Sequence, residues 1–400
     1  MNISDRERVF TLRGEDERGA SDLDDTLLLI PGPTNLSKRV REVMAGPQLP
    51  HVGSEFYSMF RETVGLARYV FKNEKGDQFV FTGSGTIGME SSVVSLVSRG
   101  ERTLTLINGY FGHRMLMLNQ VHGAKADKLE FTGGKAADPD SLRSQLRKAK
   151  YSAVFITHVD TSSSVLNPVR ELVEECAKAG VAAVVDSVCA IGGLPLDFDS
   201  LGADIVFTAS QKALAGPPGA VLVAVSKRAM EKMEKRKSPI ESYYMNLLRW
   251  KPVMDDPKMY LATPATQVLQ ALREALLEAK EEGIENRWAR HRKLGEITRA
   301  SVEGWGQRFV AEEGHRADTV TSFWVEEGKA GPIQKTLESE HHVMVSRGIY
   351  DDKDRMIRIG HFGTLQPEAL RKALGSMGEV MEELGVSAHQ VAVAKRRSRR

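Results

Sequence analysis

Three segments of the sequence have the residue types and the spacing to do chemistry. Residues 83–88 read Gly-Ser-Gly-Thr-Ile-Gly between a predicted strand and a predicted helix, where free backbone N–H groups can bind a phosphate. Asp186 ends an apolar strand, where a carboxylate needs a cationic partner. Lys212 follows the next strand, and desolvation there would make its amine a nucleophile. Taken singly, each segment also fits a structural role: a tight turn, a helix cap or salt bridge, and a surface lysine.

Taken together, these groups match the needs of pyridoxal 5'-phosphate. Its phosphate is bound by helix N–H groups, its aldehyde forms a Schiff base with a lysine, and a carboxylate keeps its ring nitrogen protonated. Residues 157–164 add hydroxyl side chains at a fourth strand end. The glycine pattern at 83–88 also fits a dinucleotide site. Such a site needs an acidic residue at the end of the next strand, which here ends in Asn108.

The elements that must position these groups are short apolar strands that alternate with helix-like segments from Thr26 onward. This pattern predicts an α/β fold with a large, doubly wound and mostly parallel sheet. Ligands bind beyond the carboxyl ends of such strands, which is where the polar segments fall. Crossover helices are predicted at 86–98 and 169–179. The predicted strands are 78–82, 102–108, 128–132, 153–157, 182–186, 205–209 and 220–225.

A smaller C-terminal α+β domain is predicted after Pro264. Apolar residues recur at three- and four-residue steps from Leu269 along a helix that is predicted to continue toward Trp288. Strands are predicted at 319–325, 342–345 and 356–359. The last helix carries on one face Leu370, Leu374, Met377, Met381 and Leu384. The predicted organisation is a charged arm 1–25, a large domain 26–263, a small domain 264–388 and a basic tail 389–400.

Composition and charge exclude several classes of protein. With 400 residues, 41% apolar and 27% charged, the chain is long and apolar enough for two cores, which excludes disorder. No apolar run approaches the roughly 18 residues of a membrane span, and residues 1–25 lack the apolar centre of a signal, so a cytoplasmic protein without membrane contact is expected. The net charge of +2 is concentrated in the last six residues, so no nucleic-acid partner is expected. Cys176 and Cys189 are predicted to be reduced core thiols, and no metal site is predicted.

The chain resembles the class V, fold type I aminotransferases of the alanine-glyoxylate and serine-pyruvate aminotransferase family, from about Leu28 to Leu384. The resemblance implies the fold type I architecture, pyridoxal 5'-phosphate as cofactor, and a homodimer with shared active sites. It rests on motifs in the family's order: Pro31-Gly32-Pro33-Thr34-Asn35-Leu36, Gly83-Ser84-Gly85, Asn108-Gly109-Tyr110-Phe111-Gly112, Val185-Asp186-Ser187-Val188, Ser210-Gln211-Lys212-Ala213, Met259-Tyr260 and Ile357-Arg358-Ile359-Gly360.

The resemblance also implies roles for individual residues. Lys212 forms the Schiff base and Asp186 contacts the ring nitrogen, which makes these two the catalytic pair. Arg358 binds the substrate carboxylate, and Gly32 is a second substrate-binding residue. The other implied cofactor-binding residues are Ser84, Gly85, Thr86 and Gln211 at the phosphate, Thr161 near the phenolic oxygen, Phe111 on the ring, and Tyr260 and Thr263 from the second subunit.

Three positions depart from the family pattern. Phe111 stands where some relatives have tryptophan, so the stacking ring is kept but an N–H donor is lost. Val159 and Ser164 stand where relatives often have glycine, which changes the surroundings of Thr161.

The implied activity is transamination between a small amino acid, alanine or serine, and a 2-oxo acid, glyoxylate or pyruvate. In that reaction Lys212 carries the proton between the substrate α-carbon and the cofactor. Phosphoserine aminotransferases are the related alternative, but they carry an arginine beside an early histidine, whereas Val52 follows His51. A cysteine desulfurase needs a later cysteine, and none follows Cys189. A nicotinamide dehydrogenase would give Lys212 no role, and a non-enzymatic scaffold would be expected to have lost it.

Overall fold

The computed structural model describes residues 25–386, so the predicted arm before Asp25 and the predicted basic tail 389–400 lie outside the described residues. In chain order the elements are β1 (Leu27–Leu29), α1 (Lys38–Ala45), α2 (Ser54–Phe71), β2 (Asp77–Thr82), α3 (Gly85–Leu96), β3 (Arg102–Ile107), α4 (Tyr110–Val121), β4 (Lys125–Glu130), α5 (Pro139–Lys148), β5 (Ala153–Thr157), β6 (Val159–Asp160), β7 (Val165–Leu166), α6 (Val169–Lys178), β8 (Ala182–Asp186), α7 (Phe198–Leu201), β9 (Ile205–Ala209), β10 (Ala220–Val225), α8 (Lys227–Glu234), α9 (Leu247–Asp255), α10 (Thr266–Glu282), α11 (Ile284–Gly304), β11 (Arg308–Phe309), β12 (Val320–Trp324), α12 (Ala330–His341), β13 (Val343–Arg347), a 3-10 turn (Tyr350–Asp352), β14 (Met356–Gly360) and α13 (Pro367–Glu383).

The first sheet has seven strands in the order β2-β10-β9-β8-β5-β3-β4. Every neighbouring pair from β9 to β4 is parallel, and β10 is antiparallel to both β9 and β2, which confirms the predicted mostly parallel sheet. Strands β5, β8, β9 and β10 are buried along their whole length. Helices α2, α6 and α10 contribute to the apolar cluster on one face, and α3, α8 and α9 to the other. Burial on both faces explains why these strands read as continuous apolar runs.

The register of this sheet brings the chemical groups to one edge. Thr157 pairs with Asp186, and Asp186 pairs with Phe207, so β5, β8 and β9 end at nearly the same level. Lys212 follows β9 by a short turn, and α3 begins at Gly85 directly after β2. The carboxyl ends of the strands therefore form one polar rim, as expected of an open parallel sheet.

The second sheet has five strands in the order β1-β13-β14-β12-β11, and α11, α12 and α13 contribute to its apolar core. Strand β1 pairs parallel with β13, from Leu27 with Val343 to Leu29 with Val345. The chain therefore starts its described part in the second sheet, although residues 26–29 were predicted to belong to the large domain. A strand of three residues carries no local signal of which sheet it joins. The predicted domain boundaries stay a prediction.

Two predicted elements differ from the observed ones in an instructive way. The long helix predicted toward Trp288 is two helices, α10 and α11, separated at Gly283, where a φ of 83° ends the first helix. Strand β4 lies three residues earlier than the predicted 128–132, at the edge of the sheet, where its side chains are largely accessible. An edge strand lacks the continuous apolar run that defines the central strands.

Both cysteines are buried free thiols, as predicted: Cys176 lies within α6, and Cys189 lies after β8. Among residues 25–386, none of the helices combines the length and the apolar content that crossing a bilayer requires.

Gly88 sets the distance between α3 and the sheet, and we predict that Gly88→Ala destabilises the protein. A Cβ at Gly88 would lie 2.8 Å from the Phe207 ring and 2.9 Å from the Val221 side chain, and both partners are fully buried. Overpacking of this kind costs about 1–3 kcal/mol. The midpoint of urea unfolding should therefore fall.

Gly65→Ala is the matched control, because Gly65 lies on an exposed position of α2 and a Cβ there meets nothing within 4 Å. Alanine stabilises an exposed helix position by about 1 kcal/mol over glycine, so this midpoint should rise. An unchanged or higher midpoint for Gly88→Ala would contradict the close approach of α3 to the sheet.

Candidate active site

The first part of the site is the start of α3. Ser84 is the N-cap residue and Gly85 the first helical residue, and the side chain of Ser84 does not cap the helix within the described chain. A Cβ at Gly85 would lie 3.2 Å from the Cβ of Ala209, so glycine lets the helix start close to the end of β9. The N–H groups of this first turn and the hydroxyls of Ser84 and Thr86 can accommodate an anion.

The second part is Asp186, a buried carboxylate at the end of β8. Its Oδ1 accepts a hydrogen bond of 3.1 Å from the backbone N–H of Val188. Burial raises the pKa of Asp186 to about 7; the nearby charge of Asp160 adds to this, whereas the Val188 N–H and the charges of Arg114 and Lys212 oppose it. A carboxylate so poorly compensated favours a cationic N–H group as its partner.

Lys212 is held in a tight turn after β9. The turn is closed by the Ser210 hydroxyl, which donates to the carbonyl of Pro217, and by the Gly216 N–H, which donates to the carbonyl of Ser210 at 2.9 Å. The Lys212 Nζ donates to the carbonyl of Pro31. The neighbouring Gly32 has a φ of 90°, and a Cβ there would lie 2.6 Å from Nζ, so only glycine leaves room for the lysine.

Gln211, predicted at the phosphate, has a side-chain amide with a spare bonding group. Its Oε1 is buried without a hydrogen-bond partner among the described residues. An amide with one unpaired end can turn to present its NH₂ group to an anion. The position therefore fits the predicted contact with a phosphate.

Arg358 lies on β14 of the second sheet, yet it reaches the rim of the first. Its Nη1 donates to the carbonyl of Thr161 at 3.0 Å and its Nε to the carbonyl of Arg347 at 2.7 Å. Burial lowers the pKa of Arg358 to about 10. Burial raises the pKa of the Cys189 thiol to about 11, and the charges of Lys212 and Arg358 both oppose that shift.

Asp160 holds together the fourth strand end, residues 157–164, and sequence reasoning missed it. Its carboxylate is fully buried and accepts the backbone N–H groups of Phe111 and Ser162, both at 2.9 Å. A Cβ at Gly109 would overlap this carboxylate, so α4 can start here only behind a glycine. Through these bonds Asp160 fixes both Phe111 and the backbone beside Thr161. Its signal in the sequence was a carboxylate inside the hydroxyl-rich segment 157–164.

Arg114 is a second residue that sequence reasoning missed. Its guanidinium lies 4.9 Å from the ring centroids of both Tyr110 and Phe111, and its Nη1 approaches Thr86 Oγ1 at 3.4 Å. It therefore joins Phe111, which is predicted to stack on the cofactor ring, to Thr86 at the start of α3. The signal was its spacing, because positions three and four residues after Phe111 and Tyr110 lie on the same face of a helix.

Tyr260 and Thr263 stand apart from this cluster. They lie between α9 and α10, their hydroxyls are 2.9 Å apart, and Tyr260 also packs on His51 at 5.7 Å between ring centroids. Tyr260 is 65% exposed. The single chain thus brings together Gly32, Ser84, Gly85, Thr86, Phe111, Thr161, Asp186, Gln211, Lys212 and Arg358, and it leaves Tyr260 and Thr263 on the surface.

These residues fit pyridoxal phosphate on three structural grounds. The helix start after Ser84 offers donors for a phosphate, Gln211 has a buried amide oxygen without a partner among the described residues, and the buried Asp186 carboxylate needs a cation. Lys212 supplies the amine that would carry the aldehyde.

Comparisons with known proteins find a matching family model, similar proteins and similar structures. The family model described as aminotransferase class-V matches residues 36–350. An uncharacterized aminotransferase of Methanocaldococcus jannaschii is 32% identical, with 92% of this chain and 96% of that protein covered. Alanine–glyoxylate aminotransferase 1 of Saccharomyces cerevisiae is 32% identical, over 84% of this chain and 91% of the relative. The crystal structure of an alanine–glyoxylate aminotransferase from Nostoc sp. superposes with a TM-score of 0.85 at 27% identity, over 95% of this chain and all of that one.

We predict that Asp186 makes the cofactor-free protein less stable as the pH rises. The folded state holds the proton up to a pKa of about 7, whereas the unfolded chain releases it near 3.8, so the folded state binds more protons in between. The free energy of unfolding contributed by this group is therefore fully present below pH 4 and is lost by pH 7, a change of about 4 kcal/mol.

Urea unfolding of the wild type and of Asp186→Asn, measured from pH 4 to 8, isolates this contribution as the difference between the two curves. The variant should gain stability over the wild type as the pH rises. The exposed Asp351 provides the matched control, because Asp351→Asn should give a flat difference. A flat difference for Asp186→Asn as well would show that its carboxylate is not destabilised by burial.

Proposed function

Because this chain belongs to the class-V aminotransferases, we propose that it transfers the amino group of alanine or serine to glyoxylate or pyruvate. It is an aminotransferase that uses pyridoxal 5'-phosphate. The preference for small substrates is supported by relatives named alanine–glyoxylate aminotransferase in yeast and in Nostoc sp.. That the enzyme works in the cytoplasm stays a prediction.

The observation that carries the proposal is the meeting of Lys212, Asp186 and Arg358 at one rim. When bound, pyridoxal phosphate supplies an electron sink that stabilises negative charge developing at the substrate α-carbon. Asp186 would hold the proton on the ring nitrogen, because its burial makes a separated anion costly. Lys212, once its amine is free, would take the proton from the substrate α-carbon and hold it on Nζ for its return later in the transfer.

Arg358 would orient the substrate by its carboxylate. Its guanidinium is planar and can donate two parallel hydrogen bonds to a carboxylate. The carbonyls of Thr161 and Arg347 already hold the guanidinium in place, so little side-chain freedom is lost on binding. Gly32 lies beside Lys212 and has no side chain, so its backbone would be accessible to the same substrate.

A homodimer with shared sites is part of the proposal. Tyr260, Met259 and Val52 are apolar or aromatic side chains that are 65%, 53% and 57% exposed. Exposed apolar side chains grouped in this way are typical of an interaction surface. In a twofold dimer the Tyr260 and Thr263 hydroxyls would reach the phosphate of the partner subunit.

We expect a panel of amino donors and 2-oxo acceptors to show activity with alanine or serine and with glyoxylate or pyruvate. In the same assays Arg358→Lys should raise KM for both the amino acid and the oxo acid by about tenfold or more, because an ammonium keeps the charge but loses the second hydrogen bond.

Arg355→Lys is the matched control for this panel. Arg355 precedes Arg358 by three residues, is exposed and pairs with Asp352, so its replacement should leave both KM values unchanged. If Arg358→Lys left KM unchanged for both substrates, the carboxylate site would be assigned to the wrong residue.

Shared sites predict that two inactive variants restore activity when mixed. Lys212→Ala damages one half of each site, and Tyr260→Ala with Thr263→Ala damages the half that the partner subunit contributes. A hybrid dimer then holds one intact site, so an equal mixture should reach about a quarter of wild-type activity, since about half of the dimers are hybrids.

The baseline for that experiment is the activity of each parent variant taken through the same mixing and refolding steps without the other variant. Activity that stays at the average of the parents after mixing would show that each chain builds its site alone.

A further inference from the structure

Two tyrosines meet at the mouth of the site, one from each sheet. Tyr110 is the first residue of α4, beside the first sheet, and Tyr350 starts the 3-10 turn between β13 and β14 of the second. Their ring centroids are 5.6 Å apart at a tilt of 54°. This contact spans the gap between the two halves of the site.

Tyr110 is the fixed member of the pair. Its hydroxyl accepts a hydrogen bond of 3.2 Å from Arg114, its backbone N–H donates to Ser162 Oγ at 2.9 Å, and its ring packs edge-on against Phe111 at 5.3 Å. The same Arg114 stacks on Phe111. The position of the Tyr110 ring is therefore set by the residues that form the cofactor cradle.

Tyr350 is the exposed member. It is 58% exposed, and its backbone has a φ of 52°, a conformation that favours glycine over any other residue. The Lys353 N–H, which donates to the Tyr350 carbonyl at 3.0 Å, holds the turn. The chain thus keeps a large ring at a backbone position where glycine would be easiest to accommodate. A tyrosine kept at this unfavourable backbone conformation points to a function for its side chain.

The pair borders the space that a substrate side chain would enter. Arg358 Nε donates to the carbonyl of Arg347, three residues before Tyr350, so the substrate carboxylate would lie next to this turn. On the other side, Tyr110 is the neighbour of Phe111, which is placed to stack on the cofactor ring. A substrate held by Arg358 and facing Lys212 has the two tyrosine rings at the side of its remaining substituent.

We propose that Tyr110 and Tyr350 form a filter that restricts the amino donor to short side chains, and that Tyr350 sets the limit. This inference rests on the proposed function, because it needs the carboxylate at Arg358. A methyl or hydroxymethyl group fits beside the closed pair. A side chain of three or more carbons has to displace the Tyr350 ring, which breaks its contact with the Tyr110 ring.

The test compares Tyr350→Gly with Tyr350→Phe in the cofactor-loaded enzyme. Glycine removes the ring at a backbone conformation it adopts readily, so the variant is expected to fold. Phenylalanine keeps the ring and removes only the hydroxyl. We expect kcat/KM of the wild type to fall by about tenfold or more from 2-aminobutyrate to norvaline, since one methylene at a tight wall is worth that much. Tyr350→Gly should reduce this fall to about threefold or less, and Tyr350→Phe should retain most of it.

Calorimetric binding of unreactive carboxylic acids gives a readout independent of turnover. Propanoate, butanoate, pentanoate and hexanoate offer the carboxylate and a growing chain but no amino group. The affinity of the wild type should drop at pentanoate, and Tyr350→Gly should bind pentanoate and hexanoate at least as well as butanoate. If both proteins bound the acids with the same dependence on length, the filter would be wrong while the carboxylate site stood. If neither bound any of them and no donor reacted, the proposed function would fail and the filter with it.

Discussion

The burial of one carboxylate is the constraint on which the site depends. Asp186 lies at the end of a strand that is buried on both faces. Its side chain accepts a hydrogen bond from the backbone N–H of Val188. Burial raises its pKa to about 7, so the charged form of this carboxylate would be stabilised by a cationic partner. The parallel register then places Lys212 and the start of α3 at the same rim, where an amine and an anion-binding turn complete the requirements of pyridoxal phosphate.

The second sheet contributes residues to the same site as the first. Arg358 on β14 donates to the backbone of Thr161, and the turn at Tyr350 meets Tyr110 at the start of α4. Under the proposed function, the first sheet would supply the groups that bind and activate the cofactor, and the second sheet would supply groups that recognise the substrate. Such a division allows the substrate range to change by substitutions in the β13–β14 turn without disturbing the proton-transfer residues.

The sequence predicts the central strands to the residue, because strands buried on both faces read as apolar runs that end in polar groups. The bounds of β5, β8, β9 and β10 are as predicted. It fails where the pattern is not local. The edge strand β4 and the three-residue strand β1 depend on pairing with strands distant in the chain, whereas the break between α10 and α11 depends on the backbone conformation of one glycine, Gly283. The same holds within the site: Asp160 and Tyr350 act through partners in other elements, so motif spacing did not single them out, whereas Arg114 was missed although its spacing to Tyr110 and Phe111 is a local signal.

Borohydride reduction of the cofactor-loaded enzyme followed by peptide mapping tests the central claim most directly. Reduction makes the bond between lysine and cofactor permanent, so the modified peptide identifies the lysine. The account predicts label on Lys212, which lies against Gly32 at the rim, and none on Lys232, whose pKa is lowered by burial and whose amine donates to the carbonyl of Ser152, before β5 and away from the rim. Label on Lys232 or on any other lysine would contradict the assignment of the site.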